Sequence, residues 1–248
     1  MRKQADVRFY AELNDFLVPW RRGGATPYAF EVSGSIKDMI ETLGVPHTEV
    51  DLILVNGEPE DFAYRLRNGD RISVYPVFES IDISALVRCR PQPLRESRFV
   101  ADTHLGRLVR YLRMLGFDTK YRDDTQDEEL ATVSSEERRI LLTRDRGLLK
   151  RNAVTRGYCV RATDSREQLR EVLQRFDLSG AMAPFSRCVH CNSLLRPTQK
   201  DLISDRLPPK TEQYYEEFHV CPGCERIYWK GSHYRRMQRF MEELLEPD

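Results

Sequence analysis

The chain has 248 residues, 40% of them hydrophobic and 31% charged, the composition of a globular protein with room for one large domain or two to three small ones. No apolar run reaches the length of a bilayer span, and the basic start Met1-Arg2-Lys3 has no apolar signal-peptide core behind it, so the expectation is a cytoplasmic protein with no membrane partner. Lys plus Arg and Asp plus Glu both number 39, so net charge argues neither for nor against a nucleic-acid partner, and the placement of charge has to decide.

Residues 1–87 form the first expected domain. Strands are predicted at 7–10 and 28–32, then a helix with Ser35 as N-cap running through Leu43 and closed by Gly44. Leu52 to Val55 reads as a strand, Asn56-Gly57 as a tight turn, and 71–77 alternates as another strand after Asn68-Gly69-Asp70. Strands surrounding one helix predict an α+β domain with the helix laid across a mixed sheet. Leu54-Val55-Asn56-Gly57 and Leu66 to Ile72 resemble the β-grasp, ubiquitin-like fold of small sulfur carriers. Those carriers act through a free Gly-Gly end, whereas this segment runs on through Phe78-Glu79-Ser80, so the expected role is an interaction module for a protein partner. It is expected to fold alone and to be dispensable for chemistry.

Residues 88–97, with Pro91, Pro93 and several arginines and no periodicity, read as a linker. The next domain is placed at 98–180. Phe99-Val100-Ala101 is a buried-type strand ending on Asp102, and apolar residues at 105, 108, 109, 112 and 115 follow on one helical face. A second strand at 118–121 leads to Asp123, Asp124, Asp127, Glu128 and Glu129, a third at 140–143 to Asp145, and a fourth at 158–160 to Asp164. Alternating strands and helices predict a parallel α/β sheet in which every strand brings its C-terminal end, and so its acid, to the same edge.

Acids at helix starts have an ordinary use as caps, which covers Asp127, Glu128 and Asp164 one by one. Acid at the end of essentially every strand is a different pattern, because clustered carboxylates repel unless a cation neutralises them. An oxygen-rich cluster suits Mg²⁺ or Mn²⁺ and phosphodiester hydrolysis. On the first helix Arg107, Arg110 and Arg113 are placed opposite the apolar stripe as a basic ridge for a phosphate backbone, and Arg144, beside Asp145, is a fourth candidate RNA contact. No Gly-rich phosphate loop appears.

Residues 181–248 carry the strongest local signal. Cys188-Val189-His190-Cys191 and Cys221-Pro222-Gly223-Cys224 are two C-x-x-C knuckles, which together supply the four thiolates of one structural Zn²⁺. Residues 192–220 separate them, more than the usual spacer of about 15–20 residues, so an inserted hairpin or loop is expected around Pro208-Pro209. Beyond the second knuckle, Ile227 to Arg236 mixes aromatic with basic residues, suited to stacking on bases or to packing against the domain before it. The chain then ends in a helix with Met237, Phe240, Met241 and Leu244 on one face.

Phe99 to Asp102, Leu105 to Leu108, Tyr111 to Gly116, Asp127 to Leu130 and Ile140 to Asp145 resemble the Mut-seven C-terminal RNase domain, a branch of the PIN-like nucleases, over residues 98–248. The resemblance implies a PIN-like catalytic domain with a zinc ribbon after it and a β-grasp domain in front. It implies metal-dependent RNA cleavage, with Asp102, Asp127, Glu128 and Asp145 as catalytic acids, Asp124 and Asp164 as further candidates, and tRNA or another structured RNA among the substrates. The rival expectation is a non-enzymatic RNA-binding or regulatory adaptor whose acids are structural.

Overall fold

The computed structural model describes residues 2–76, 87–89 and 97–245. The expected linker prolines and the strand end at Val77 lie outside the described residues.

In the N-terminal domain, β1 (Lys3–Phe9) alternates so that Ala5, Val7 and Phe9 are buried, and β2 (Thr26–Phe30) pairs with it antiparallel. α1 (Ile36–Thr42) starts where the sequence places it: Ser35 accepts from the Asp38 amide and the Asp38 carboxylate accepts from the Ser35 amide, a reciprocal cap on two orphan donors. Gly44 ends it at φ +108°, a conformation that a side chain would strain. Between β3 (Leu52–Val55) and β4 (Glu58–Glu60), Asn56 and Gly57 both take positive φ, which fits the right-handed twist of a tight hairpin. With β5 (Arg71–Tyr75) the sheet order is β2-β1-β5-β3-β4, and the β1–β5 pair is parallel. Ile36, Met39 and Ile40 of the helix are buried with Val7, Ile53 and Val74 of the sheet, the β-grasp arrangement expected.

From residue 97 the chain alternates strand and helix: β6 (Phe99–Ala101), α2 (Gly106–Met114), β7 (Thr119–Lys120), α3 (Asp127–Glu136), β8 (Ile140–Thr143), α4 (Arg146–Leu149), β9 (Gly157–Cys159) and α5 (Ser165–Arg175). β6 pairs with β7, and β8 with β9, in parallel. β6 and β8 are short, fully buried, mainly apolar runs, each followed by a polar turn into a helix, and α2 buries Leu108, Val109 and Leu112 on its predicted face.

The C-terminal region builds a three-stranded antiparallel sheet, in the order β10 (Arg196–Thr198), β11 (Phe218–Val220), β12 (Ile227–Trp229). The insert expected as a hairpin or loop contains a short helix, α6 (Pro209–Tyr214), for which Pro209 suits the first position because a proline lacks only an amide that would be unpaired there. Ile203, Leu207 and Phe218 form a small core beneath it. α7 (Ser232–Leu245) closes the fold; Phe240 is buried against Tyr111 of α2, with the ring centroids 5.0 Å apart, whereas the Met237 and Leu244 side chains lie outside the described residues.

The chain forms two compact units. One joins residues 1–96 to 124–161, and the other joins 97–123 to 162–248. Inside the first, the N-terminal domain grips the β8–β9 segment. Glu49, 1% exposed, accepts the Cys159 amide at 2.6 Å and pairs with Arg161 at 3.4 Å, and His47 Nε2 lies 2.8 Å from the Val154 carbonyl. A buried carboxylate is costly unless it is bonded, so these bonds tie the two segments together rather than decorating their surfaces.

Candidate metal centre and acidic strand ends

The two knuckles fold as copies of one turn. In each, the amide four residues after the first cysteine donates to that cysteine's carbonyl (Asn192 to Cys188, Glu225 to Cys221), and the cysteine's own amide donates to the residue five on (Cys188 to Ser193, Cys221 to Arg226). Asn192 and Glu225 take positive φ at the equivalent position, which turns the chain back and leaves both sulfurs facing inward. All four Sγ atoms lie within 4.8 Å of one another; Cys188 and Cys224 are 3.5 Å apart and Cys191 and Cys221 3.2 Å. No disulfide joins them. Zn–S bonds of about 2.3 Å in a tetrahedron put sulfurs roughly 3.8 Å apart, so this sulfur-only set fits a closed site for an ion such as zinc.

Without a cation the crowded thiols titrate unequally. Burial pushes Cys191 up, but hydrogen bonds with Ser193 and Cys221 outweigh it and bring its thiol to about 6, whereas burial takes Cys224 up to about 12. The Tyr228 hydroxyl stands 3.0 Å from Cys188 Sγ and itself resists ionisation, first through burial and then through that contact.

The acids sit where strands end. Asp102 follows β6, is 8% exposed, and accepts from the Thr103 hydroxyl at 3.0 Å and the His104 amide at 3.4 Å. Asp145 follows β8, is exposed, and caps α4 by accepting from the Gly147 amide at 2.6 Å. Asp164 caps α5 through the amides of Arg166 and Glu167. Asp127 and Glu128 lie in the first turn of α3, where Arg151 approaches both, at 3.7 and 3.9 Å; Asp124 stands just ahead of that helix. The four cysteines are the one group of three or more His, Cys, Asp or Glu ligand atoms drawn within 4.8 Å among the described residues.

The family model of the Mut7-C RNAse domain matches residues 97–241, well over half the chain, and that of the Mut7-C ubiquitin domain matches residues 2–82. The chain belongs to the Mut7-C RNAse family. No curated protein matches it. Membership supports a nuclease-type function for the Mut7-C domain, and no helix among the described residues is long and apolar enough to cross a membrane.

Within the Mut7-C domain the arginine ridge needs a correction. Arg107 and Arg110 are exposed, but Arg113 is 4% exposed; its Nε donates to the Thr119 carbonyl at 2.9 Å and its Nη1 to the carbonyls of His190 and Val189, at 2.6 and 3.3 Å. This guanidinium buckles the first cysteine knuckle to α2 and β7, and burial lowers its pKa from the usual arginine value. Asn192 adds to the seam by donating to the Asp118 carboxylate and accepting from the Thr119 amide. At Gly116 a Cβ would collide with the Ala183 carbonyl oxygen, so only glycine lets the two backbones meet. Arg144 is exposed beside Asp145.

Sequence reasoning passed over Tyr121. Its hydroxyl donates to the Thr103 carbonyl at 2.9 Å and pins the turn that carries Asp102, while burial, then the hydrogen bond with Asp123, pushes its pKa up to about 12. Gly106 leaves room for that ring, since a Cβ there would stand 2.7 Å from the Tyr121 oxygen. The clue in the sequence was one aromatic residue at a strand end.

Proposed function

We propose that the Mut7-C domain hydrolyses RNA phosphodiester bonds with Mg²⁺ or Mn²⁺ held by Asp102, Asp145 and the acids that open α3, Asp127 and Glu128, with Asp124 and Asp164 as supplementary acids. The observation that carries this reading is that the region matching an RNase domain ends β6 and β8 on carboxylates. An oxygen-only donor set fits such a hard cation better than zinc. When bound, the cation supplies positive charge to a phosphate and makes a water more acidic.

The chain's own residues do the rest. Thr103 and His104 hold the Asp102 carboxylate, and Tyr121 fixes the turn beneath it. Arg107, Arg110 and Arg144 offer exposed guanidinium groups to phosphates, whereas Arg113 is spent on carbonyls and is withdrawn from the RNA-binding set. We assign Zn²⁺, one per chain, to Cys188, Cys191, Cys221 and Cys224 as a structural ion. The N-terminal domain tunes the choice of partner or substrate, tRNA and other structured RNAs included.

The adaptor reading draws on the caps, since Asp102, Asp145 and Asp164 each satisfy backbone amides with no cation required. Titrating zinc-loaded protein with Mn²⁺ separates the two. The nuclease takes up Mn²⁺ weakly and loses that uptake in Asp102→Asn and Asp145→Asn, whereas an adaptor takes up none beyond the zinc.

A further inference from the structure

A tryptophan left in water is the observation to explain, because its indole gains more from burial than almost any other side chain. Trp20 of the N-terminal domain is 70% exposed. Its loop is firmly held: the Asn14 side chain donates to the carbonyls of Phe9 and Ala11 and accepts from the Gly23 amide, and Arg22 Nε donates to the Leu17 carbonyl at 3.0 Å. Pro19 opens the 3-10 turn Pro19–Arg21 with its backbone φ already fixed. The exposed ring is therefore presented by a rigid loop.

Its neighbours are cations. The Arg21 guanidinium lies over the Trp20 ring, 4.4 Å from the centroid, and Arg22 is exposed next to it. Phe16, four residues before Trp20, has Arg146 over its ring at 4.8 Å and Arg161 at 5.0 Å. Arg146 directly follows Asp145, is exposed, and has no ion-pair partner among the described residues. The acids of the same stretch are Glu12 and Asp15, and Asp15 is engaged by Arg161 at 3.6 Å. Four residues of chain span at most about 14 Å, so Trp20 stands within a few nucleotides' reach of the Phe16–Arg146 contact.

We infer that the Phe16–Arg22 loop is an RNA platform of the N-terminal domain: a single strand engaged at Asp145 meets Arg146 with a phosphate and stacks a base on Trp20. This rests on the nuclease reading and extends it, giving the N-terminal domain a direct part in holding substrate. Base stacking on an aromatic ring tolerates any sequence, and flanking guanidinium groups neutralise the backbone, which is the chemistry of single-stranded RNA recognition.

The test is binding of a fluorescently labelled single-stranded RNA, about 15 nucleotides long, to zinc-loaded full-length protein in the absence of Mg²⁺ and Mn²⁺, so that nothing is cleaved. Trp20→Ala is expected to weaken binding about tenfold, with Trp20→Phe restoring most of it. Arg146→Ala is expected to flatten the slope of log affinity against log salt by about 0.7. Val32→Ala, at another exposed apolar position, should bind like wild type. Wild-type affinity in Trp20→Ala would overturn the inference while leaving the nuclease reading intact; no binding by wild type would remove both. The inference also falls if Trp20→Ala abolishes self-association of the wild type and leaves RNA affinity unchanged, since the surface would then be a dimer contact.

Discussion

Each acid at a strand end is also a cap, so its two roles have to be separated chemically. At Asp164 the amides of Arg166 and then Glu167 hold the carboxyl below its ordinary value of 3.8. A carboxyl depressed in the fold contributes stability above its ordinary pKa and loses it as the pH falls through the depressed one. Between pH 7 and pH 3 the first turn of α5 should therefore lose amide-exchange protection in wild type. Asp164→Asn, which caps without charge, should show a smaller change over that interval; an equal change in both proteins would mean that the acid dependence has another source.

At the scale of elements, the first cysteine knuckle and α2 are one structure. Arg113 delivers three hydrogen bonds to carbonyls of β7 and the knuckle, and bonds from a charged donor are worth about 1.5–3 kcal/mol each when a partner is left unmet. Arg113→Met should lower the thermal midpoint by several degrees with one equivalent of zinc still bound. Cys221→Ser should lose the zinc and shift the same transition further, because metal binding and folding of the ribbon are one equilibrium. Elemental analysis beside a melting curve checks both, and a Cys221→Ser protein melting like wild type would refute the structural role of the ion.

What the sequence disclosed at this scale was local. The Ser35 cap, the Asn56-Gly57 turn, the apolar face of α2 and the C-x-x-C pairs are written within one or two turns of chain, and the structure has them where they were expected. β1 begins at Lys3 rather than Val7 because its first residues are ordered by pairing with β2, which the polar run Lys3-Gln4 does not announce. Arg113 was misplaced for a related reason. A helical wheel shows which side of α2 is apolar, but not that the carbonyls of Val189 and His190 dock on the other side. The acids were legible as strand ends, and the Arg151 contact to Asp127 and Glu128 was not, because it depends on how two helical turns meet.

Across the whole molecule, the two family matches cover residues 2–82 and 97–241. Contacts divide the chain differently, attaching 124–161 to the N-terminal domain. Glu49, His47 and the Lys150 ammonium, which donates to the Glu41 carbonyl, make that attachment, and it weighs against the N-terminal domain being simply removable. Glu49→Ala removes the buried acceptor of the Cys159 amide and one of the partners of Arg161, which keeps Asp15 and the Tyr158 hydroxyl, and loss of such a buried bond costs about 1–3 kcal/mol. Denaturant unfolding should register that loss, with Glu49→Gln recovering part of it through the amide bond alone; a wild-type midpoint in Glu49→Ala would mean that the two segments are held together elsewhere.

In the proposed reaction, carboxylates at the ends of β6 and β8 run metal-dependent RNA hydrolysis. Asparagine at Asp102 or Asp145 can still accept the capping amide, so folding should survive while the charge that would hold a cation is lost. The measurement is cleavage of total RNA in Mn²⁺ by wild type, Asp102→Asn and Asp145→Asn, each with an unchanged thermal transition. Wild type is expected to show activity that EDTA abolishes, and both variants a fall of orders of magnitude; equal cleavage by all three proteins, or cleavage that survives EDTA, would rule out the metal-dependent mechanism.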